Sequence, residues 1–578
     1  MRRLFAFLLS FSLLVPVPTA AQAPDTARAQ QGMVVADELF AAEAGIEILR
    51  QGGNAVDAAV AVAFALAVTH PAAGNLGGGG FMLIRLADGR TAFIDYRETA
   101  PAAARWDMFL DQEGNLVPER STQGWLAAGV PGTLAGLDLA LREYGTMTLN
   151  QVLEPAIRLA DDGFPVSDRL ARSLRENAET LRRDPESESI FLHDGLFYEP
   201  GELLKQKHLA RTLRRLAQKG AREFYQGSIA RRFVEASKKG GGLFTLADLR
   251  NYRAVVRQPL RGTFHGYQVI TAPPPSSGGV ALLETLNMLE PLLAPEDLPS
   301  EPQTLHLVTE ALRRAFADRA RYLADPDFAE IPVAALVDKG YAAACRQNID
   351  PAHASVSTDL KLPNPLDFSH SPSEPAGTAA LREGENTTHF SVVDAEGNAV
   401  ANTFTINNSY GSGITVDGLG FLLNNEMDDF TTKPGEPNLL FGLVQSDANQ
   451  IEPGKRPLSS MTPTIVVRDG ETFLVLGSPG GPRIISALLE VLLHRLLFSD
   501  DLALAIARPR FHHQWLPDTL FLEEGLYTGE QIAALRALGH QVDFRETVGQ
   551  INAIERDPST GELYGVADAR RGGAARGR

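Results

Sequence analysis

The stretch Asn386-Thr387-Thr388-His389-Phe390-Ser391-Val392-Val393-Asp394 sets hydroxyls at the head of an alternating apolar pattern. A threonine hydroxyl is a weak nucleophile unless a neighbour takes its proton. If the peptide bond before Thr387 were cut, the freed α-amine would be that neighbour, and it titrates near pH ~7.7–8.0, where a general base works well. The alternative is that a Thr-Thr pair suits an extended backbone. Further polar groups recur downstream. Thr403, Thr405 and Asn407 share one face of an expected strand by period two, unless this is only a polar edge strand. Asn424 to Phe430 holds Glu426, Asp428 and Asp429; such runs are commonly solvated, but these acids follow Phe421-Leu422-Leu423, where a buried strand would end and face a pocket. Lys455 to Met461 supplies the adjacent hydroxyls of Ser459 and Ser460. Gly477-Ser478-Pro479-Gly480-Gly481 offers backbone N–H groups between a strand and a helix start, either an oxyanion hole or an ordinary turn.

The elements that must position these groups follow from periodicity. A strand over 389–394, a turn at Ala395–Asn398 and a return strand over 399–406 form a hairpin that begins near Thr387. Strands are also expected at 420–423, 464–468 and 472–476, and a helix from Pro482 to Phe498. Upstream, Val35 to Gln51 reads as an amphipathic helix ended by Gly52-Gly53. Asn54 caps a second helix, Ala55 to His70, apolar nearly all round and therefore buried. Gly77-Gly78-Gly79-Gly80 precedes a strand, Phe81 to Leu86, with no Lys-Ser/Thr following, so close backbone packing is preferred to phosphate binding. A hairpin through Asp88-Gly89 leads to Thr91–Tyr96. Residues 134–350 read as mostly helical, including helices near Leu149–Asp161, Leu209–Lys219 and Gln303–Asp325, with a rigid turn at Ala272–Gly279. From Asp350 to Asn386 the Pro, Ser, Asp and Thr content without period marks a flexible linker. Strands flanked by helices, with chemistry at a strand end, predict an α+β fold of stacked antiparallel sheets covered by helices.

Bulk properties narrow the function classes. A net charge of -17 over 578 residues argues against nucleic acid and anionic membrane surfaces. The single cysteine, Cys345, excludes an internal disulfide framework and a Cys-rich metal site, and is expected to be a small buried hydrophobe. Arg2-Arg3, the apolar run Leu4–Val15 and the small residues through Ala23 read as a secretory signal peptide, cleaved within 19–23. The run is shorter than the ~20 residues a membrane span needs, so the expectation is a periplasmic or secreted protein with no anchor after processing.

Taken together, Thr387-Thr388-His389, Leu422 to Phe430, Lys455 to Met461 and Gly477 to Gly481 resemble the γ-glutamyltransferase (γ-glutamyltranspeptidase) family of N-terminal-nucleophile hydrolases. So do Gly77–Phe81, Asp95–Pro101, Pro273–Gly279 and Arg508–His513, in family order from about residue 33 to near 570. The resemblance implies an αββα sandwich made as one precursor that cuts itself at Asn386–Thr387. After the signal peptide (residues 1–23), residues 24–386 would be the large subunit and 387–578 the small one. Thr387 would be the nucleophile, Thr405 would hydrogen-bond its hydroxyl, and Gly480 and Gly481 would donate to the oxyanion. Arg97, Ser459 and Ser460 would hold the substrate α-carboxylate; Asn407, Glu426 and Asp429 its α-ammonium. Donors would be γ-glutamyl compounds such as glutathione, and acceptors water, amino acids or dipeptides, with no metal and no cofactor. His512-His513 are expected to be structural, since adjacent strand residues point to opposite faces. Lys433–Pro453 resembles a lid loop in which a tyrosine is common; Phe441 stands there, and a looser lid is expected without its hydroxyl. Two rivals are a glutaryl (cephalosporin-type) acylase of the same fold, disfavoured because Glu426 and Asp429 would face no ammonium, and an uncleaved periplasmic binding protein.

Overall fold

A computed structural model describes residues 23–193, 195–365, 367 and 387–578. The expected signal segment up to residue 22, Asn386 and most of the expected linker lie outside the described residues. Two seven-stranded sheets are stacked face to face. One has the order Ala574–Gly577, Gly32–Ala36, Thr388–Asp394, Ala399–Thr405, Gly79–Arg85, Thr91–Asp95 and Val255–Arg257; the other runs Asp25–Ala29, Leu563–Ala567, Asn552–Arg556, Glu471–Gly477, Thr464–Arg468, Tyr267–Thr271 and Leu260–Phe264. Every pairing within both sheets is antiparallel.

The layers follow from strand alternation. In Gly32–Ala36, Val34 and Ala36 join a core with Phe390, Val392 and the helices Leu39–Arg50 and Ala55–Thr69, whereas Met33 and Val35 pack toward the second sheet. Helices Gly278–Leu289, Pro302–Tyr322 and Arg483–Leu492 cover that second sheet. The expected αββα sandwich is present. Ala55–Thr69 is buried along its whole length, and Asn54 closes a capping box with Asp57 at its start, as expected. The glycine run also serves close packing: a Cβ on Gly78 would lie 2.1 Å from the Thr405 carbonyl, and one on Gly77 2.1 Å from that of Leu422.

Two local expectations, the helix start at Val35 and the strand over 420–423, are corrected, and two others are refined. Val35 belongs to the strand Gly32–Ala36; the helix starts at Leu39, with the Glu38 carboxylate accepting from the Phe40 N–H at 2.8 Å. Met33-Val34-Val35-Ala36 is apolar on both faces because it is a central strand, so a helical period fitted it equally well. The stretch 134–350 contains the strands Val255–Arg257, Leu260–Phe264 and Tyr267–Thr271, which complete the sheet edges. Residues 420–423 form only isolated bridges, Leu422 with Thr415 and Leu423 with Gly77. The helix from Arg483 stays α-helical to Leu492 and continues as a π turn over Leu493–Leu497.

Candidate active site

Backbone register places the nucleophile candidate. Thr388 pairs with Phe404 across the hairpin, so continuing by one residue sets Thr387 opposite Thr405, which in turn pairs with Gly79. The strand start is clamped from behind. The Thr388 hydroxyl donates to Asp37 at 2.6 Å, and the Asn552 amide donates to the other Asp37 oxygen at 2.5 Å and to the His389 carbonyl at 2.9 Å. Burial pushes the Asp37 carboxyl above its usual range, against nearby Arg169 and these hydrogen bonds. His389 lies between the sheets, bonded to Thr403 at 2.8 Å and Ser391 at 3.1 Å; burial alone lowers it to about 3, so it is a neutral structural group.

Thr387 and Thr405 open into a cavity whose walls include Arg97, Asn407, Glu426, Asp429, Ser459, Ser460, Phe441 and Gly481. Residues expected from seven separated stretches therefore line one cavity. Gly480 lies beside the wall, and Asn386 is outside the described residues. The Thr405 hydroxyl accepts from the Asn407 N–H at 2.8 Å. Asn407 itself corrects the shared-face expectation. The strand ends at Thr405, and Asn407 sits past it at φ 72°, a left-handed turn that asparagine tolerates and that turns its side chain to Asn425 (3.2 Å to the carbonyl) and Asp429. Gly480 (φ 126°) and Gly481 (φ 57°) occupy backbone conformations that favour glycine. Their carbonyls accept from Arg483 and Ile484. A Cβ on Gly481 would fall 2.5 Å from the Phe441 ring, so glycine also lets Phe441 pack against the turn.

The charged groups are arranged differently from the expectation of a cation apart from an acidic pocket. The Arg97 guanidinium bonds Glu426 directly, donates to Asp429 at 2.5 Å, and donates to the Pro457 and Leu458 carbonyls at 3.2 and 3.3 Å. Glu98 adds a third carboxyl at 3.8 Å. Arg97 is only 1% exposed. Burial works against its charge, but Glu426 and Asp429 more than offset this and hold it protonated. Burial raises all three carboxyls, Glu98 to about 8, and Arg97 opposes the rise. Cation and acids thus form one buried cluster, because without a ligand each is the other's best available partner. Asn424 shapes the turn that presents Glu426, with its amide donating to the Gly77 and Gly129 carbonyls at 2.7 and 2.9 Å.

The Ser459–Ser460 wall is held by the proline-rich turn. The Ser277 hydroxyl and N–H each donate to the Ser459 carbonyl at 2.7 Å, and Ser276 donates to the Met461 carbonyl at 2.6 Å. The segment expected as a lid is tethered without a tyrosine hydroxyl. Phe441 is buried, the Gln514 amide donates to its carbonyl at 3.0 Å, and Gln445 and Asn449 both donate to the Asp429 carbonyl, at 3.1 and 2.8 Å. Side-chain amides donating to main-chain carbonyls, together with the Gly481 contact, hold this segment. His512 is occupied by Ser486 and Gln514, and His513 by Asp518 and the Trp515 N–H, in keeping with structural roles. Cys345 is buried, and burial raises its thiol far above the reactive range. Sequence reading missed Glu98, Arg319, Asp37 and Ser277 as parts of this site. Glu98 sits inside a motif already singled out; Arg319 and Asp37 carry no local signal, since only the tertiary fold brings them here.

Comparisons with known proteins show the family. A sequence model described as Gamma-glutamyltranspeptidase matches residues 41–577. The chain is 47% identical over 544 residues to a glutathione hydrolase proenzyme of Escherichia coli strain K12, covering 94% of this chain and 91% of that protein. Among solved structures, a cephalosporin acylase from Bacillus halodurans superposes with a TM-score of 0.84 at 25% identity, over 99% of both chains. A γ-glutamyltranspeptidase chain of Helicobacter pylori is 44% identical with a TM-score of 0.55, covering 56% of this chain and 93% of its own. The match of motifs, fold and sequence along nearly the whole length shows that this chain belongs to the γ-glutamyltranspeptidase family.

Proposed function

We propose that the protein is a γ-glutamyltransferase and glutathione hydrolase that works through a γ-glutamyl ester on Thr387. The observation that carries this reading is a single cavity in which Thr387, opposite Thr405 by register, shares walls with the Arg97–Glu426–Asp429 cluster. In the precursor the Thr387 hydroxyl attacks the Asn386 carbonyl, and the resulting ester is hydrolysed, leaving residues 24–386 and 387–578 as two subunits. The two pieces interleave in the sheet, the strands Thr388–Asp394 and Ala399–Thr405 lying between Gly32–Ala36 and Gly79–Arg85, so a cut need not separate them. The freed α-amine of Thr387 then removes the hydroxyl proton as the oxygen attacks the donor's γ-carbonyl. The Gly480 and Gly481 N–H groups stabilise the oxyanion, each such donor contributing ~2.7–4 kcal/mol in the transition state. The amine leaves, and water or the amine of an amino acid or dipeptide takes the glutamyl group. The donor's α-carboxylate goes to Arg97, Ser459 and Ser460, and its α-ammonium to Asn407, Glu426 and Asp429. A zwitterion inserted into the Arg97–acid pairing replaces one ion pair by two and leaves the net charge of the cluster unchanged. A glutaryl group brings only the anion and strands the acids, which disfavours the acylase reading.

Residues 1–23 act as the export signal, and the mature enzyme is periplasmic or secreted; no helix among the described residues is long and apolar enough to cross a membrane. One experiment tests activity and another maturation. Hydrolysis of γ-glutamyl and glutaryl anilides should differ by ~10⁴ or more in kcat/KM, as for a site whose buried polar groups are left unpaired by the wrong substrate; comparable values would sink the assignment. N-terminal sequencing of the smaller band on a denaturing gel should begin at Thr387.

A further inference from the structure

The helix Pro302–Tyr322 buries a row of charged side chains, and one of them differs from the rest. Arg314 is paired with Glu310 at 2.7 Å; Arg313 is paired with Glu310 at 3.1 Å and also contacts Asp518. Arg319 is 2% exposed, yet no carboxylate among the described residues lies within ion-pair distance of it. Its Nε donates to the Ser277 hydroxyl at 2.9 Å, and its Nη1 has no hydrogen-bond partner. A buried guanidinium without an ion pair is costly unless its charge serves a neighbour. Arg319 lines the same cavity as Thr387 and Asp429, and Asp429 is the acid whose charge it feels. Burial lowers the guanidinium to about 10, still protonated at neutral pH.

We infer that Arg319 is a positioning residue for donor binding, the fixed countercharge that keeps Asp429 an anion while Arg97 is drawn from Asp429 toward the donor's α-carboxylate. This rests on the proposed donor reading. The charged groups facing Asp429 are Arg97 and Arg319, which favour its anion, and Glu98, Glu426 and Asp428, which oppose it. When Arg97 turns to the substrate, Arg319 is the one cation of the wall that has not moved. Ser277 joins the two halves of the head-group site, since the hydroxyl that accepts from Arg319 donates to the carbonyl of Ser459.

The test is competitive inhibition of the matured enzyme by L-glutamate, which carries both head groups and does not need the Thr387 base, followed from pH 5 to 8. Arg319→Gln is expected to bind glutamate and donor roughly tenfold more weakly, with kcat within about twofold, and to shift the acid-side loss of glutamate affinity upward by about one pH unit, because removing a cation raises the pKa of Asp429. Glutarate, lacking the ammonium, should show no such shift. Ser277→Ala removes the hydroxyl and keeps the charge, so it should leave the pH dependence in place. A matured Arg319→Gln enzyme with wild-type affinity and pH dependence overturns the proposal, as does a Ser277→Ala enzyme that reproduces the whole shift. If Arg319→Gln does not mature, Arg319→Lys carries the test: wild-type pH dependence is expected, and a glutamate affinity as poor as that of Arg97→Ala overturns the proposal. A wild-type enzyme that fails to hydrolyse γ-glutamyl anilide would instead refute the donor reading.

Discussion

The hairpin end that carries the proposed nucleophile and the cluster proposed to hold the donor head group lie in one cavity but are built on opposite principles. Thr387 and Thr405 are placed by backbone hydrogen bonds between neighbouring strands, with Asp37 and Asn552 clamping the residues behind. Arg97, the 3-10 turn Glu426–Asp429 and Ser459 come from three segments far apart in sequence and are held by charge, burial and carbonyl contacts. The first region has little freedom to change. The second is a set of ion pairs that a zwitterionic ligand can enter by exchanging partners. Self-cleavage should therefore depend on the first region and donor affinity on the second, and the two should separate under mutation.

The largest effect is expected from Thr387→Ala, which removes the reacting atom. It should leave one intact, folded chain on a denaturing gel and lower activity by about 10⁴-fold or more. An active uncut chain would refute the mechanism. Arg97→Ala should break the second region only: kcat/KM for γ-glutamyl anilide should fall by the equivalent of ~2–5 kcal/mol, the cost of leaving buried charges unpaired, while the two bands still form. Unchanged kcat/KM would remove Arg97 from the site. Thr405→Ala should do the reverse and slow maturation, by roughly tenfold for one lost hydrogen bond, as measured by the rate at which the precursor band disappears; precursor processing at the wild-type rate would dissociate Thr405 from cleavage.

A smaller effect comes from Glu98. Burial raises its carboxyl to about 8, against the pull of Arg97. The folded protein therefore holds this proton more tightly than the unfolded chain does. The associated stability is fully present below pH ~4.3, and is lost as pH rises toward 8. Glu98→Gln, which cannot ionise, should flatten the fall in melting temperature between pH 5 and 8. A parallel pH profile for the variant and the wild type would show that Glu98 is already ionised in the folded protein.

Much of this was legible in the sequence because it is written in short-range patterns. The Asn54 cap and the unbroken apolar helix Ala55–Thr69, the alternation of 389–394 and 399–405 about one turn, and the compact motifs around Arg97, Glu426, Ser459 and Gly480 all declare themselves within about ten residues. Period two alone sets Thr405 on the face of Thr403, whereas the assignment of Arg97, Glu426 and Asp429 to a zwitterionic head group came from the family resemblance, with which the charge types agree. The tertiary structure decided the rest. It determined that Met33-Val34-Val35-Ala36 is a central strand, since a segment buried on both faces carries no period to distinguish it from a helix. It placed Asn407 beyond the strand end, through a left-handed turn that no alternation predicts. It joined Arg97 to Glu426 and Asp429, because buried charges seek one another at distances in space that sequence separation does not encode. It also brought Arg319, from the far layer of helices, to the same wall, where a long buried side chain reaches a site that its own neighbours in sequence never touch.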